Sequence, residues 1–185
     1  MTCAKAFLSL LMLFCTFCSI ANPVITESFE SIKVDTLSYS FSPTSPQNAY
    51  KNRSNDWQKI AKKPLNLRFE QRPVWLFFTI RNTLEVSTSP LLSFDNPLLN
   101  EVQVYLFYDS KLLSHTQLGD SFALAQRTLK SESLLAKLTL PANSVSTVII
   151  KVNNTAGLRV PITLWQHDAY LLHKTKFNSL SIHLT

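Results

Sequence analysis

Cysteine, glycine and charge are scarce in this chain of 185 residues. The three cysteines, Cys3, Cys15 and Cys18, all lie near the amino terminus, so the rest of the chain can form neither a disulfide nor a thiolate metal site, and it has no cysteine nucleophile. With only two glycines, it can build neither a glycine-rich phosphate loop nor a G-x-S-x-G nucleophile elbow. These absences exclude the commonest phosphate-binding and hydrolase motifs.

Metal-ligating and catalytic clusters are missing from the sequence as well. A zinc site needs about three or four convergent ligands. The four histidines have no metal-ligand spacing among themselves: His115, His167, His173 and His183. Three aspartates stand where turns usually place them: Asp109, Asp120 and Asp168. We therefore predict no metal, no cofactor and no enzyme activity.

Residues 1–21 read as a secretory signal. Lys5 supplies the positive amino-terminal region, an uninterrupted apolar or small stretch follows it, and Ser19 and Ala21 are small where a signal peptidase requires it. An uncleaved membrane anchor is the alternative, but the apolar run is shorter than the roughly 20 residues that span a bilayer. We expect cleavage near Ala21, and an exported domain whose own apolar core must hold it together.

The segment 72–82, RPVWLFFTIRN, predicts a central strand. Large apolar side chains fall on both of its faces. Val74, Leu76, Phe78 and Ile80 lie on one face, and Trp75 and Phe77 lie on the other with Thr79. Such a strand is buried from both sides, which places Trp75 in the core rather than at a binding surface.

Strand-like segments separated by polar or proline-bearing turns follow along the chain. They cover residues 91–94, 101–108, 111–117, 134–140, 147–153 and 159–165, with a weak first edge strand at 32–37. No helical repeat separates them, which excludes a parallel α/β sheet. We predict an all-β protein, an antiparallel β-sandwich of about seven to nine strands.

The domain organisation follows from these segments. Residues 22–50 form a lead-in with the first edge strand, residues 51–166 the sandwich core, and residues 167–185 a tail. Within the lead-in, residues 38–46 are rich in serine, threonine and proline and predict a loop. Residues 57–61 predict a short turn of helix after Asn55 and Asp56. In the tail, residues 169–177 predict either a short helix or a frayed end.

Exposed aromatic side chains are the one constellation compatible with ligand binding. Sandwich domains stack sugar rings on such platforms, and arginines can add polar contacts. The candidates are Trp57, Tyr105, Phe107 and Trp165, with Arg81, Arg127 or Arg159. The alternative reading is that Phe107 and Trp165 fill a second layer of core, because large aromatic residues are on average well buried.

Basic residues are densest just before the core, at Lys51, Arg53, Lys59, Lys62 and Lys63. Nucleic-acid binders interleave aromatic residues with a basic stripe on one element, and this pattern is absent, so we predict no nucleic-acid partner. Two interpretations stay open. The group is either a solvated basic loop or a surface that attracts an anionic membrane or an anionic glycan.

Several segments together resemble a known bacterial module, the type 2 extracellular domain of seven-transmembrane receptors with diverse intracellular signalling modules. The resemblance is carried by 65–69 (LNLRF), 72–76 (RPVWL), 79–82 (TIRN), 91–102 (LLSFDNPLLNEV) with Tyr105, 118–120 (LGD) with Arg127, 148–152 (VIIKV) and 160–165 (VPITLW). The chain departs from the family pattern at Phe77, where a basic residue is common, and at Asn100, which replaces a frequent aspartate.

The resemblance implies a jelly-roll-like sandwich, similar to carbohydrate-binding modules, in the periplasm of a Gram-negative bacterium. It implies a sensor of a small ligand, which we expect to be a carbohydrate, bound without catalysis at Tyr105, Phe107, Arg127, Trp165 and Trp57. The tail would then be the remnant of a linker to the membrane, in a domain that is free-standing or truncated before the membrane helices. The alternative is a protein-interaction module that docks a partner or the membrane region of a receptor.

Overall fold

Short strands make up most of the described chain, which comprises residues 22–60, 64–122 and 133–182 of a computed structural model, the last six as helix backbone. The predicted leader lies outside this range. The elements are β1 (Val24–Ile25), β2 (Ser31–Lys33), β3 (Ser38–Ser40), α1 (Pro46–Lys51), β4 (Gln58–Lys59), β5 (Leu65–Phe69), β6 (Val74–Asn82), β7 (Leu91–Phe94), β8 (Glu101–Tyr108), β9 (Lys111–Leu118), β10 (Leu134–Lys137), β11 (Ser144–Asn153), β12 (Gly157–Val160), β13 (Ile162–Trp165) and α2 (His167–Ile182).

Two mainly antiparallel sheets face each other across the core. The larger has the order β4-β3-β6-β11-β8-β9, with β1 parallel to β6, and the smaller has the order β10-β7-β13-β2. Strands β5 and β12 form a separate two-stranded ribbon. The predicted all-β antiparallel sandwich is confirmed. The strands outnumber the seven to nine expected, partly because the lead-in contributes β1 and β3 to one sheet and β2 to the other.

Strand β6 is the centre of the larger sheet, as its sequence predicts. It pairs with β11 over nine residues, from Val74 opposite Val152 to Asn82 opposite Ser144. Its alternate side chains point into the core between the sheets, where Val74, Leu76, Phe78 and Ile80 are at most 1% exposed. On the other face Trp75 is 3% exposed, so the prediction of a strand buried from both sides is confirmed.

The loop predicted for residues 38–46 is confirmed only at 41–45, and the helical turn predicted for 57–61 was wrong over the described residues 57–60. Residues 38–40 form β3, and Ser45 caps helix α1 by accepting a 3.1 Å hydrogen bond from the Asn48 amide, with Pro46 in the first turn. Serine followed by proline is a helix-start signal, which the serine- and proline-rich composition concealed. Residues 58–59 form β4, because pairing with β3 overrides a weak local helix preference.

At the ends of the described chain, the first strand is shorter than expected, and the helix that was one of two alternatives for residues 169–177 is confirmed. The first edge strand is shorter than residues 32–37, since β2 covers only Ser31–Lys33. The tail forms helix α2, whose Tyr170 packs against Leu91 and Leu135 on the smaller sheet. None of the helices in the described ranges has the length and hydropathy required to span a membrane.

Asn100 ties together three loops at one end of the sandwich. Its backbone amide donates to Asn154 Oδ1 at 3.0 Å, and its side-chain oxygen accepts from the Thr155 amide at 2.8 Å. Its side-chain nitrogen donates to the Asp120 carboxylate at 3.0 Å. An aspartate here would have no donor for Asp120, so the asparagine suits this set of contacts.

Gly119 allows the chain to approach Asn100 closely. Its φ is +128°, and a Cβ built on it would lie 2.1 Å from the Asn100 carbonyl oxygen. The next amide, that of Asp120, donates to the Leu99 carbonyl at 2.9 Å, so the contact is part of the backbone hydrogen bonding. Only glycine fits at position 119, because the backbone angle disfavours other residues and a Cβ would overlap the Asn100 carbonyl group.

We expect Gly119→Ala to destabilise the domain strongly. The unfavourable φ alone costs about 1–3 kcal/mol, and the overlap with Asn100 adds to it. Gly157→Ala is the matched control, because a Cβ there meets nothing closer than 3.9 Å and its φ is ordinary. Urea unfolding of both variants measures the difference. Equal loss of stability in the two would contradict this account.

Candidate functional site

The outer face of the larger sheet carries a second apolar cluster. The cluster combines Trp75, Tyr105, Phe107, Ile149 and Ala49, with Tyr50, Trp57 and Phe77 packed against it. Cross-strand register brings these side chains together, since Tyr105 lies opposite Ile149, which lies opposite Phe77. Two of the predicted platform residues, Tyr105 and Phe107, therefore belong to this layer, at 7% and 2% exposure.

Neighbouring side chains cover most of these rings. His115 stacks on Tyr105 with ring centroids 4.4 Å apart and 6° between the planes. Tyr50 of α1 stacks on Phe107 at 4.6 Å. Burial lowers the pKa of His115, which favours its neutral form in this position. A ligand would have to displace these covers before it could stack on Tyr105 or Phe107.

A row of polar groups borders the cluster. Tyr105 donates its hydroxyl hydrogen to Gln103, and Gln103 donates to Glu101. Asn153 donates to the second Glu101 oxygen at 2.8 Å. This hydrogen bond from Asn153 is the main cause that lowers the pKa of Glu101, with Gln103 and the charge of Lys151 adding to it against the opposing effect of burial. Burial and the nearby Glu101 charge raise the pKa of Tyr105.

The predicted platform residues do not share one face. Trp165 ends β13 in the smaller sheet, on the opposite side of the sandwich from Tyr105 and Phe107. The centroid of its ring lies 6.1 Å from that of Tyr170 and 4.7 Å from that of His173, both on α2. Arg127 lies outside the described residues. A single surface made by all the predicted residues is therefore excluded by the strand order, while their individual binding roles stay predictions.

Helix α1 and the turn after it shape the surface next to the cluster. The helix has only six residues, too few to be stable alone, and it is held by Ala49, which is fully buried, and by the Tyr50 ring. Arg53 then fixes the turn, since its Nη1 donates to the Tyr50 carbonyl at 2.7 Å and its guanidinium lies 4.1 Å from the Tyr50 ring centroid.

These elements enclose a concave site, which we call the Trp57 cleft. Its volume is about 350 Å³, and it is lined by Ser40, Ser42, Pro43, Thr44, Asn48, Asn52, Asn55, Asp56 and Trp57. Trp57 is half-buried and packs edge-on against Phe77 of β6 at 4.8 Å. Ser40 on β3 lies opposite Trp75. The cleft thus sits at the border of the outer-face cluster, with one aromatic wall.

Several polar groups of the Trp57 cleft are available for a ligand. The side chains of Asn52, Asn55 and Asp56 are exposed and form no hydrogen bond or ion pair with the described residues. Asp56 has a φ of +57°, a conformation that aspartate and asparagine tolerate in turns. The cleft therefore combines amide donors and acceptors, one carboxylate and one indole ring. Sequence reasoning found Trp57 but missed the asparagines, whose only signal is their spacing at 48, 52 and 55.

Two larger clefts have a different chemistry. One, of about 550 Å³, lies beside Lys33, Asp95 and Arg159 without an aromatic ring, and its Asp95 already accepts from Ser93 and Thr163. The other, of about 640 Å³, lies between α2 and residues 27–30, with Trp165 in its wall. Among the described residues, no group of three or more histidine, cysteine or acidic side chains is arranged to hold a metal ion.

A protein-family model matches most of the chain. The family model described as 7TMR-DISM extracellular 2 matches residues 31–166. The matched range contains every strand of both sheets except β1, together with the outer-face cluster and the Trp57 cleft. No curated protein matches the chain.

We expect Trp75→Ala to cost about 3–5 kcal/mol, the usual loss for removing a buried aromatic side chain. The ring is 3% exposed and faces Tyr105 and the Lys151 ammonium, so its removal leaves a cavity. Trp57→Ala is the comparison, and it should cost less because Trp57 is only half-buried. Urea unfolding measures both. A smaller loss for Trp75→Ala than for Trp57→Ala would contradict the role of the outer-face cluster as core.

We expect Glu101→Gln to weaken the acid sensitivity of the fold. The hydrogen bonds of the folded state lower the pKa of Glu101 below its ordinary value, so this carboxylate stabilises the fold above the ordinary pKa of a glutamate. The stabilisation is lost as the pH falls through the lowered value. Glutamine cannot titrate, so the variant should lose less stability between pH 6 and pH 3. The midpoint of urea unfolding is measured against pH for the wild type and the variant. The same fall of the midpoint with pH in both proteins would refute this prediction.

Proposed function

The chain belongs to the 7TMR-DISM extracellular 2 family, and on that premise we propose that it is the ligand-sensing domain of a bacterial signalling receptor, which binds a carbohydrate without catalysis at the Trp57 cleft. The extracellular-domain family implies export and a periplasmic location. Cleavage of residues 1–21 as the export signal is part of the proposal.

The observation that carries the proposal is the composition of the Trp57 cleft. Sugars present hydroxyl groups at their edges and an apolar face of C–H groups, which suits a wall of asparagines beside an indole ring. Asn52, Asn55 and Asp56 have free side-chain oxygens and amides, and Trp57 is half-exposed. The predicted carbohydrate class thus has a concave site of matching chemistry, although the site includes only one of the predicted residues.

The residues of the Trp57 cleft favour binding over hydrolysis. Glycoside hydrolysis uses a pair of carboxyl groups about 5–10 Å apart. Among the described residues that line the cleft, Asp56 is the one carboxylate, and histidine is absent. Membership of a sensor-domain family also favours a non-catalytic role.

The test is a glycan array probed with the protein purified from the periplasm, followed by calorimetry on the best ligand. We expect Trp57→Ala to weaken binding about tenfold, the effect of losing a central aromatic contact. Trp165→Ala is the matched control, and it should leave the affinity unchanged because this ring lies on the other sheet.

The array also separates the two candidate functions. If Trp165→Ala abolishes glycan binding and Trp57→Ala leaves it unchanged, the placement of the site is refuted. If no glycan binds, the carbohydrate hypothesis is refuted and the interaction module is favoured. A specific observation supports that second function, since Tyr108, Leu112 and Leu113 expose 36%, 42% and 46% of their surface around the β8–β9 hairpin.

A further inference from the structure

Basic side chains lie near the Trp57 cleft along the chain and along the sheet. Lys51 stands in the last turn of α1, three residues after Asn48 and one before Asn52, both of which line the cleft. Residues three apart on a helix lie on neighbouring positions of its surface, so Lys51 stands at the rim. Lys51, the first residue of the basic segment, is thereby placed at the rim of the candidate site.

Lys59 lies beyond Trp57, where it lines a neighbouring cleft together with Asp35. It pairs with Ser38, which pairs with Phe77, a residue of the outer-face cluster. Lys59 therefore projects from the same face of the sheet as Trp57, two residues and about 7 Å along the strand from it. Lys62 and Lys63, which continue the basic segment, lie outside the described residues.

The charges of these lysines are not neutralised by the part of the protein that the structure describes. Lys51 and Lys59 are both exposed, and neither forms an ion pair with a described residue. Arg53 adds a third positive charge, held over the Tyr50 ring. Two carboxylates oppose them, Asp56 in the Trp57 cleft and Asp35 beside Lys59. Three cations against two carboxylates leave a balance of one positive charge in this region.

The shape of this basic surface favours a sugar over a membrane. Anionic lipid headgroups attract any group of exposed lysines, but they present a broad plane. Here Lys51 stands beside a cleft of about 350 Å³ that is lined by an indole ring and three asparagines, and Lys59 lies beyond the indole ring. Asparagine side chains can hydrogen-bond the individual hydroxyl groups of a sugar. Asp56 can accept a hydrogen bond from one hydroxyl group while the anionic group of the same ligand lies elsewhere.

We propose that the Trp57 cleft selects an anionic saccharide, a uronic acid oligomer whose carboxylates are bound by Lys51 and Lys59 while its hydroxyls meet the asparagines and Asp56. This inference rests on the proposed function and specifies its ligand class. The charge contribution is a surface one, so it weakens as salt rises and the screening length falls from about 10 Å at 0.1 M to about 3 Å at 1 M.

The experiment uses trigalacturonate and trimannuronate, each beside its carboxyl-reduced neutral form, with the periplasmic protein in calorimetry at low and high salt. We expect tighter binding of the acidic forms, reduced by salt. Each of Lys51→Gln and Lys59→Gln should weaken acidic binding about two- to fivefold, the usual range for an exposed charge contact. Asp56→Asn should strengthen it, by removing the opposing charge.

The controls separate this inference from the function on which it rests. Lys137→Gln changes an exposed lysine on the smaller sheet and should have no effect. Equal binding of acidic and reduced trisaccharides overturns the anionic class and leaves carbohydrate sensing standing. Binding of neither trisaccharide, with no other glycan bound on the array, overturns both. Lysine-dependent binding to phosphatidylglycerol–phosphatidylcholine vesicles, without saccharide binding, overturns the inference in favour of a membrane surface.

Discussion

The pairing of β6 with β11 is the interaction on which the rest of the structure depends. It runs over nine residues in an unbroken register. Side chains alternate between the faces of a strand, so a slip of one residue would exchange Phe78, which fills the core between the sheets, with Trp75 and Phe77, which belong to the outer-face cluster. Two apolar layers that differ in shape therefore fix one register, and β3 and β8 take their places from it.

The outer layer has a direct consequence for recognition. A sandwich sheet with one solvated face can offer its aromatic rings to a ligand, but here α1 and β9 cover them, with Tyr50 over Phe107 and His115 over Tyr105. Burial of these rings stabilises the fold and docks the short helix. The open aromatic surface moves to the margin of the layer, where Trp57 joins the asparagines of the α1 turn.

Periodicity within the sequence predicted the strands that matter most, because β6, β8 and β11 are long and their apolar alternation is strong. It failed for α1, where the helix start depends on Ser45 and Pro46 and on a tertiary contact made by Ala49. It also failed for the binding platform. Whether Trp57 and Trp165 share a face depends on the strand order of two sheets, and that order is set by long-range pairing which no local pattern contains.

Trp57 has two roles that are thermodynamically linked. Its edge packs on Phe77 of the central strand, while its exposed part lines the cleft. A ligand that binds only the folded arrangement stabilises it, by about 2.7 kcal/mol at a concentration one hundred times its dissociation constant. Because the contact lies on β6, that stabilisation reaches the strand on which both apolar layers rest. Under the proposed function, a ligand in the cleft therefore also stabilises the contact between Trp57 and the central strand.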